Sequence, residues 1–172
     1  IDLQEAVVLR SLSTGSDTNL SQSVILNEEG SLAYLPQTRF NVSNTSRLFD
    51  TTVFPVVNLL DMDKLELLQR DRITLDTADE PVNMPFSVAL SPDEKMLYVA
   101  NAGSDDVSVI DLSINRGLAH ISVGSNPRGI AISPNGSHVY VNNVLDGKLS
   151  VIDTDNLTVT NLVTVTNITL SP

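Results

Sequence analysis

Ten residues of this chain recur 42 positions further on, and that spacing limits the fold more than any other feature. Pro85, Ser91, Pro92, Tyr98, Val99, Asn101, Ser108, Val109, Ile110 and Asp111 return as Pro127, Ser133, Pro134, Tyr140, Val141, Asn143, Ser150, Val151, Ile152 and Asp153. Each unit holds short apolar runs separated by turns. A repeat of that length and composition specifies a radial β-architecture, because one such unit cannot bury its own faces and must stack on its neighbours.

Within residues 83–124 four strands alternate with turn chemistry. Phe86–Leu90 is a strand, and Ser91-Pro92-Asp93-Glu94 is a turn in which proline fixes φ and Asp93 bonds its own backbone. Lys95–Ala100 and Val107–Ile110 are the next strands, and the Asp111 carboxylate caps the turn that follows. Leu118–Val123 is the fourth. Residues 126–166 repeat the pattern. A degenerate copy over 22–76 places its first three strands at Val24–Leu26, Leu32–Leu35 and Val57–Asp61, with a fourth within Leu67–Leu75. Between its second and third strands it carries an insertion, residues 37–54. Helix is predicted to be almost absent.

The expected fold is all-β: a segment of a β-propeller with four-stranded antiparallel blades, about three complete and partial at both ends. The limits are a partial blade over 1–12, blades over 22–76, 83–124 and 126–166, and the first strand of a next blade in 167–172. Together they make one domain, or part of a larger ring, over 1–172. The middle strands are apolar on both sides, as in Leu97-Tyr98-Val99-Ala100, which suits sheets covered on both faces. Tyr98 and Tyr140 are therefore expected to be buried between blades.

Composition narrows the function classes. Hydrophobic content of 41% marks a globular chain. The formal charge of −11 opposes nucleic acid and anionic membrane surfaces as partners. No apolar run is long enough for membrane insertion. The absence of cysteine excludes thiolate metal sites and covalent c-type haem attachment within this segment.

The motifs Tyr98-Val99-Ala100-Asn101 and Tyr140-Val141-Asn142-Asn143, with Ser108–Asp111 and Ser150–Asp153, resemble the YVTN-type β-propeller repeat. The likeness covers 83–166 strongly and 22–76 less closely, since Asn27-Glu28 and Tyr34-Leu35-Pro36-Gln37 replace the signature residues there. Such repeats occur in surface-layer and secreted proteins, in lactonase-like propellers, and beside c-type cytochrome or peroxidase-like domains. The resemblance thus implies an extracellular, cell-surface or periplasmic location, and the 166–172 end looks like the stretch joining such a propeller to a haem domain.

No catalytic, cofactor-binding or metal-binding set is assigned from the residues, and no cofactor is expected. His120 aligns with Leu162 and His138 with Met96, so both are read as packing or surface positions. Asp61-x-Asp63 and Asp153-x-Asp155 lack the glycine and closing glutamate of a calcium loop and are read as turn caps. Asn101 and Asn143 recur with the repeat and are read as serving its turns. The insertion is the one non-repetitive feature, and arginine with aromatic residues suits an interface, here Arg39, Phe40, Arg47 and Phe49. Six Asn-x-Ser/Thr triplets make Asn19, Asn41, Asn44, Asn135, Asn156 and Asn167 N-glycosylation candidates. The leading function is a non-enzymatic extracytoplasmic module for protein–protein interaction or scaffolding, its partner another protein or the remaining blades. The alternatives are a docking domain of a c-type haem redox protein and a lactonase-like hydrolase.

Overall fold

A computed structural model describes residues 7–8, 10–19, 22–41, 43, 52–78 and 80–164. They form three antiparallel sheets. The second contains β7 (Pro85–Leu90), β8 (Met96–Asn101), β9 (Asp106–Asp111) and β10 (Arg116–Ser122), hydrogen-bonded in chain order. The third contains β11 (Pro127–Ile132), β12 (His138–Asn143), β13 (Lys148–Asp153) and β14 (Thr158–Thr164), again in chain order. The first is built on β3 (Leu32–Phe40) and β4 (Val53–Asp61), joined by the two-residue strands β1 (Thr18–Asn19), β2 (Ile25–Leu26), β5 (Glu66–Leu67) and β6 (Ile73–Thr74). A 3-10 turn, η1 (Gln69–Asp71), lies between β5 and β6. The architecture is a section of a β-propeller.

The turns obey one rule in every sheet. Asp61, Asp111 and Asp153 each accept a backbone N–H from the turn that follows, from Lys64, Ser113 and Asp155 respectively. These bonds hold all three carboxyls below the usual range; the main contributors are the Lys64 side chain at Asp61, the Ser113 side chain at Asp111 and the Asn156 backbone at Asp153. Four residues after each aspartate the chain adopts positive φ, at Leu65, Asn115 and Leu157. Turn geometry thus overrides residue type, since leucine rarely adopts that conformation.

Side-chain alternation assigns each face. Leu97 and Val99 pack with Tyr34, Val57 and Leu59 of the first sheet. Tyr98, one step along the same strand, packs instead with Val139, Val141 and Ile152 of the third sheet. Tyr98 is 2% exposed, but Tyr140, its register equivalent, is 37% exposed. Burial of Tyr140 is therefore not observed: its face of the third sheet has no described neighbour. Leu145, Val159, Leu162 and Val163 are exposed as well, and every residue of β14 is solvent-exposed.

Three further expectations are corrected. The insertion at 37–54 is not simply a loop, because Gln37–Phe40 pair with Val53–Val56 and lengthen the β3–β4 hairpin. The strand β1 joins the added length, with Thr18 opposite Arg39. The single fourth strand expected within Leu67–Leu75 is broken, because Gln69, Arg70 and Asp71 bury no side chain; the chain re-enters the ladder at Ile73, which is 1% exposed. Within the partial blade expected over 1–12, Val7 makes only an isolated bridge, and the other described residues form no strand.

Gly124 closes the second sheet against the third. A Cβ there would lie 2.7 Å from Asn143 Cγ. Gly124→Ala is expected to displace Asn143 and lower stability by about 1–3 kcal/mol, read by urea unfolding.

Candidate functional site

The sheets converge at the edge strand β7, which lies against both β11 and β3. This edge is the candidate site. Phe86 on β7 and Arg128 on β11 occupy equivalent repeat positions, and the guanidinium carbon of Arg128 sits 4.9 Å from the Phe86 ring centre. Arg128 Nε also donates to Asn126 Oδ1 at 2.7 Å. Asn126 is fixed in turn, donating its backbone N–H to Asp105 and its Nδ2 to the Ala102 carbonyl. The edge therefore presents one positioned cation on an aromatic face. Beside it lies a cavity of about 40 Å3, lined by Gln22, Thr38, Met84, Pro85 and Phe86.

Behind the edge runs a buried polar layer that recurs in each sheet. Asn101 Nδ2 donates to Ser108 Oγ at 2.8 Å and to Asp106 Oδ1 at 2.6 Å. Asn143 Nδ2 donates to Ser150 Oγ at 2.8 Å. At the equivalent place in the first sheet Asn58 Nδ2 donates to Gln37 Oε1 at 2.6 Å. Arg72 Nε donates to Asn58 Oδ1, and Arg72 also lies 3.7 Å from the Asp17 carboxylate. Burial pushes the Asp106 carboxyl up, against the Asn101 and Ser104 hydrogen bonds that lower it. The Oδ1 atoms of Asn101 and Asn143 are buried and accept no hydrogen bond from the described residues. Sequence reasoning placed both asparagines in turn closure; the structure puts their side chains across the hairpin, tying β8 to β9 and β12 to β13.

The histidines stand elsewhere. His120, on the outermost strand β10, has Nε2 2.8 Å from the Leu75 carbonyl, while Nδ1 accepts the Glu80 backbone N–H at 3.4 Å. His138 Nδ1 is 2.7 Å from Ser137 Oγ, and the ring stacks on Tyr140. His138 lies at the opposite end of β12 from Arg128, about 16 Å away along the strand. Among the described residues no three histidine or carboxylate side chains converge as a metal site.

Of the predicted interface residues, Arg39 donates to Asp17 at 2.6 Å and lies over Phe54 at 5.7 Å. Phe40 pairs with Val53 on the lengthened hairpin. Arg47 and Phe49 lie outside the described residues. Of the glycosylation candidates, Asn135 and Asn156 are exposed in turns. Asn135 Oδ1 accepts from Ser133 and Ser137, and Asn156 Nδ2 donates to Asp153. Asn41 Oδ1 accepts from Ser43, and Asn19 lies on β1. Asn44 and Asn167 are outside the described residues. No described helix is long and apolar enough to cross a membrane.

A family profile described as "Cytochrome D1 heme domain" matches residues 49–171. Among solved structures, the chain is similar to Kuenenia stuttgartiensis hydrazine synthase, with 26% identity, a TM-score of 0.67, and 88% of this chain and 38% of that one covered. It is similar to the dihydro-heme d1 dehydrogenase NirN, solved in complex with DHE, with 26% identity, a TM-score of 0.51, and 66% and 23% covered. A likeness to the RRP9 WD40 repeats has 11% identity, a TM-score of 0.64, and 87% and 42% covered, and shows the fold alone. The chain thus spans less than half of each of these structures. No curated protein sequence matches it.

The donor set can be tested against a tetrapyrrole. The converging edge offers one guanidinium, one stacking ring and a cavity of about 40 Å3, far below the 300 Å3 or more that a ligand of that size needs. Neither histidine reaches that edge. The described residues do not make a haem site by themselves.

Proposed function

The chain belongs to the cytochrome D1 heme domain family, and from that premise we propose that it is a non-catalytic propeller section that scaffolds a haem redox protein outside the cytoplasm. The observation that carries this reading is the placement of both histidines. His120 is tied to Leu75 and Glu80 on an outer strand, and His138 to Ser137 and Tyr140 at the far end of β12. This section supplies wall and frame, not the iron ligand. The open face of the third sheet receives a further sheet, by the same packing that covers Tyr98. Asn135 and Asn156 in exposed turns support the extracytoplasmic assignment.

Haemin titration tests the central claim. The chain is expected to give no stoichiometric complex in the Soret band at micromolar protein. A one-to-one complex whose spectrum is lost in His138→Ala or His120→Ala would overturn the reading.

A further inference from the structure

A cleft of about 350 Å3 opens between the second and third sheets, well away from the converging edge. The β7–β8, β11–β12 and β13–β14 turns surround it. Pro92, Asp93, Met96, Tyr98, Gly136 and Asp155 form its working surface.

The repeat explains why it exists. One turn position adopts positive φ in all three sheets: Gly30 at 71°, Glu94 at 57° and Gly136 at 75°. A non-glycine residue there costs about 1 kcal/mol, yet Glu94 has a use for its side chain. Its carboxylate accepts the Glu28 backbone N–H on the preceding sheet. Burial first, and then this carboxylate, push the Tyr34 phenol up. Gly136 is the counterpart one repeat later. It carries no side chain, and its backbone sits over Pro92, with the cleft beside Tyr98.

The cleft has chemical direction. Tyr98 is 2% exposed and lines it, and its hydroxyl has no hydrogen-bond partner among the described residues. Asp93 and Asp155 line the same cleft, and burial first, then these two carboxylates, push the Tyr98 phenol up. Asp155 makes no side-chain hydrogen bond or ion pair among the described residues. Asp93 accepts from Ser91 and the Lys95 backbone, and lies 3.4 Å from Lys95 Nζ, a mostly exposed pair of little strength. Among the described residues no lysine or arginine lines the cleft. Two carboxylates with no third carboxylate, histidine or cysteine beside them among the described residues suit an organic cation better than a divalent metal.

We propose that this cleft binds a small organic cation: a primary ammonium group held between Asp93 and Asp155, donating to the Tyr98 oxygen, with its short apolar stem against Pro92 and Met96. The site is separate from the haem-related scaffold role.

Titration calorimetry of the full-length protein with n-pentylammonium chloride tests it, with n-pentanol and calcium chloride alongside. One saturable site for n-pentylammonium is expected, with no response to n-pentanol. Asp155→Ser and Asp93→Asn install the residues of sister repeats, Ser113 and Asn135, so the turns keep their bonding pattern. Each is expected to weaken binding about tenfold or more. Gly136→Glu, the residue of the preceding repeat, is expected to abolish it. Thermal unfolding verifies that each variant folds, and the two aspartate variants decide the matter if Gly136→Glu does not. No heat up to about 10 mM n-pentylammonium, equal binding of n-pentanol, calcium binding that responds to the same substitutions, or indifference to both aspartate changes would each overturn the assignment.

Discussion

Tyr98→Ala is expected to lower folding stability by about 3–5 kcal/mol, and Tyr140→Ala by only about 1 kcal/mol, although the two residues hold the same place in consecutive repeats. Both sit in mid-strand, opposite Ala89 and Val109 in one sheet and Ala131 and Val151 in the other. The difference comes from the neighbour. Tyr98 lies under Val139, Val141 and Ile152, so its removal leaves a cavity between two sheets. Tyr140 is 37% exposed, so water already reaches the space its removal would create. Urea unfolding of each variant gives the two values directly. Equal losses in this chain would mean that the third sheet is covered on both faces. In a longer protein in which a further sheet packs on β11–β14, the Tyr140→Ala loss is expected to rise towards that of Tyr98→Ala, which also tests the scaffold reading.

The same pair of tyrosines marks how far sequence carries. The 42-residue spacing shows that Tyr98 and Tyr140 share a register, because register follows from strand length and turn chemistry, both local. The capping aspartates are legible for the same reason: Asp111 and Ser113 are two residues apart. What covers a face is not local. Nothing in Tyr140-Val141-Asn142-Asn143 indicates that its outer side has no described neighbour. The lengthened β3–β4 hairpin also escaped sequence reading. Gln37–Phe40 lack strict alternation, and their pairing is stabilised by Asp17, more than twenty residues earlier, through Arg39. The cleft is an intermediate case. The exchange of Glu94 for Gly136 is visible in the aligned repeats, but it acquires meaning only when the preceding sheet places Glu28 or Pro92 against that turn.

The buried polar layer yields the second large effect. Asn101→Leu is expected to cost about 3 kcal/mol at neutral pH, and Asn143→Leu about 1–2 kcal/mol. Each loses the bond to its serine, but Asn101 also satisfies the Asp106 carboxylate, which is 9% exposed. Lys148 stands at the Asp106 position of the third sheet, so Asn143 has no such duty. The pH dependence separates the two contributions. Burial raises the Asp106 carboxyl above its usual value of 3.8 in the folded state. Between the unfolded and folded values the native protein therefore holds more proton, and stability falls as pH rises through that window. Removing Asn101 takes away a bond that favours the charged form, so it widens the window and deepens the loss above it. Asp111 and Asp153 act in the opposite sense: their folded values are depressed, and the stability they contribute above the unfolded value is lost as pH falls. Those turns are untouched by the substitution and cancel in the difference between wild type and Asn101→Leu. That difference is expected to shrink as pH falls from neutral to below 3.8, where the protonated form of Asp106 predominates in both proteins. A penalty independent of pH in paired urea titrations would assign the cost to the Ser108 bond and to packing alone.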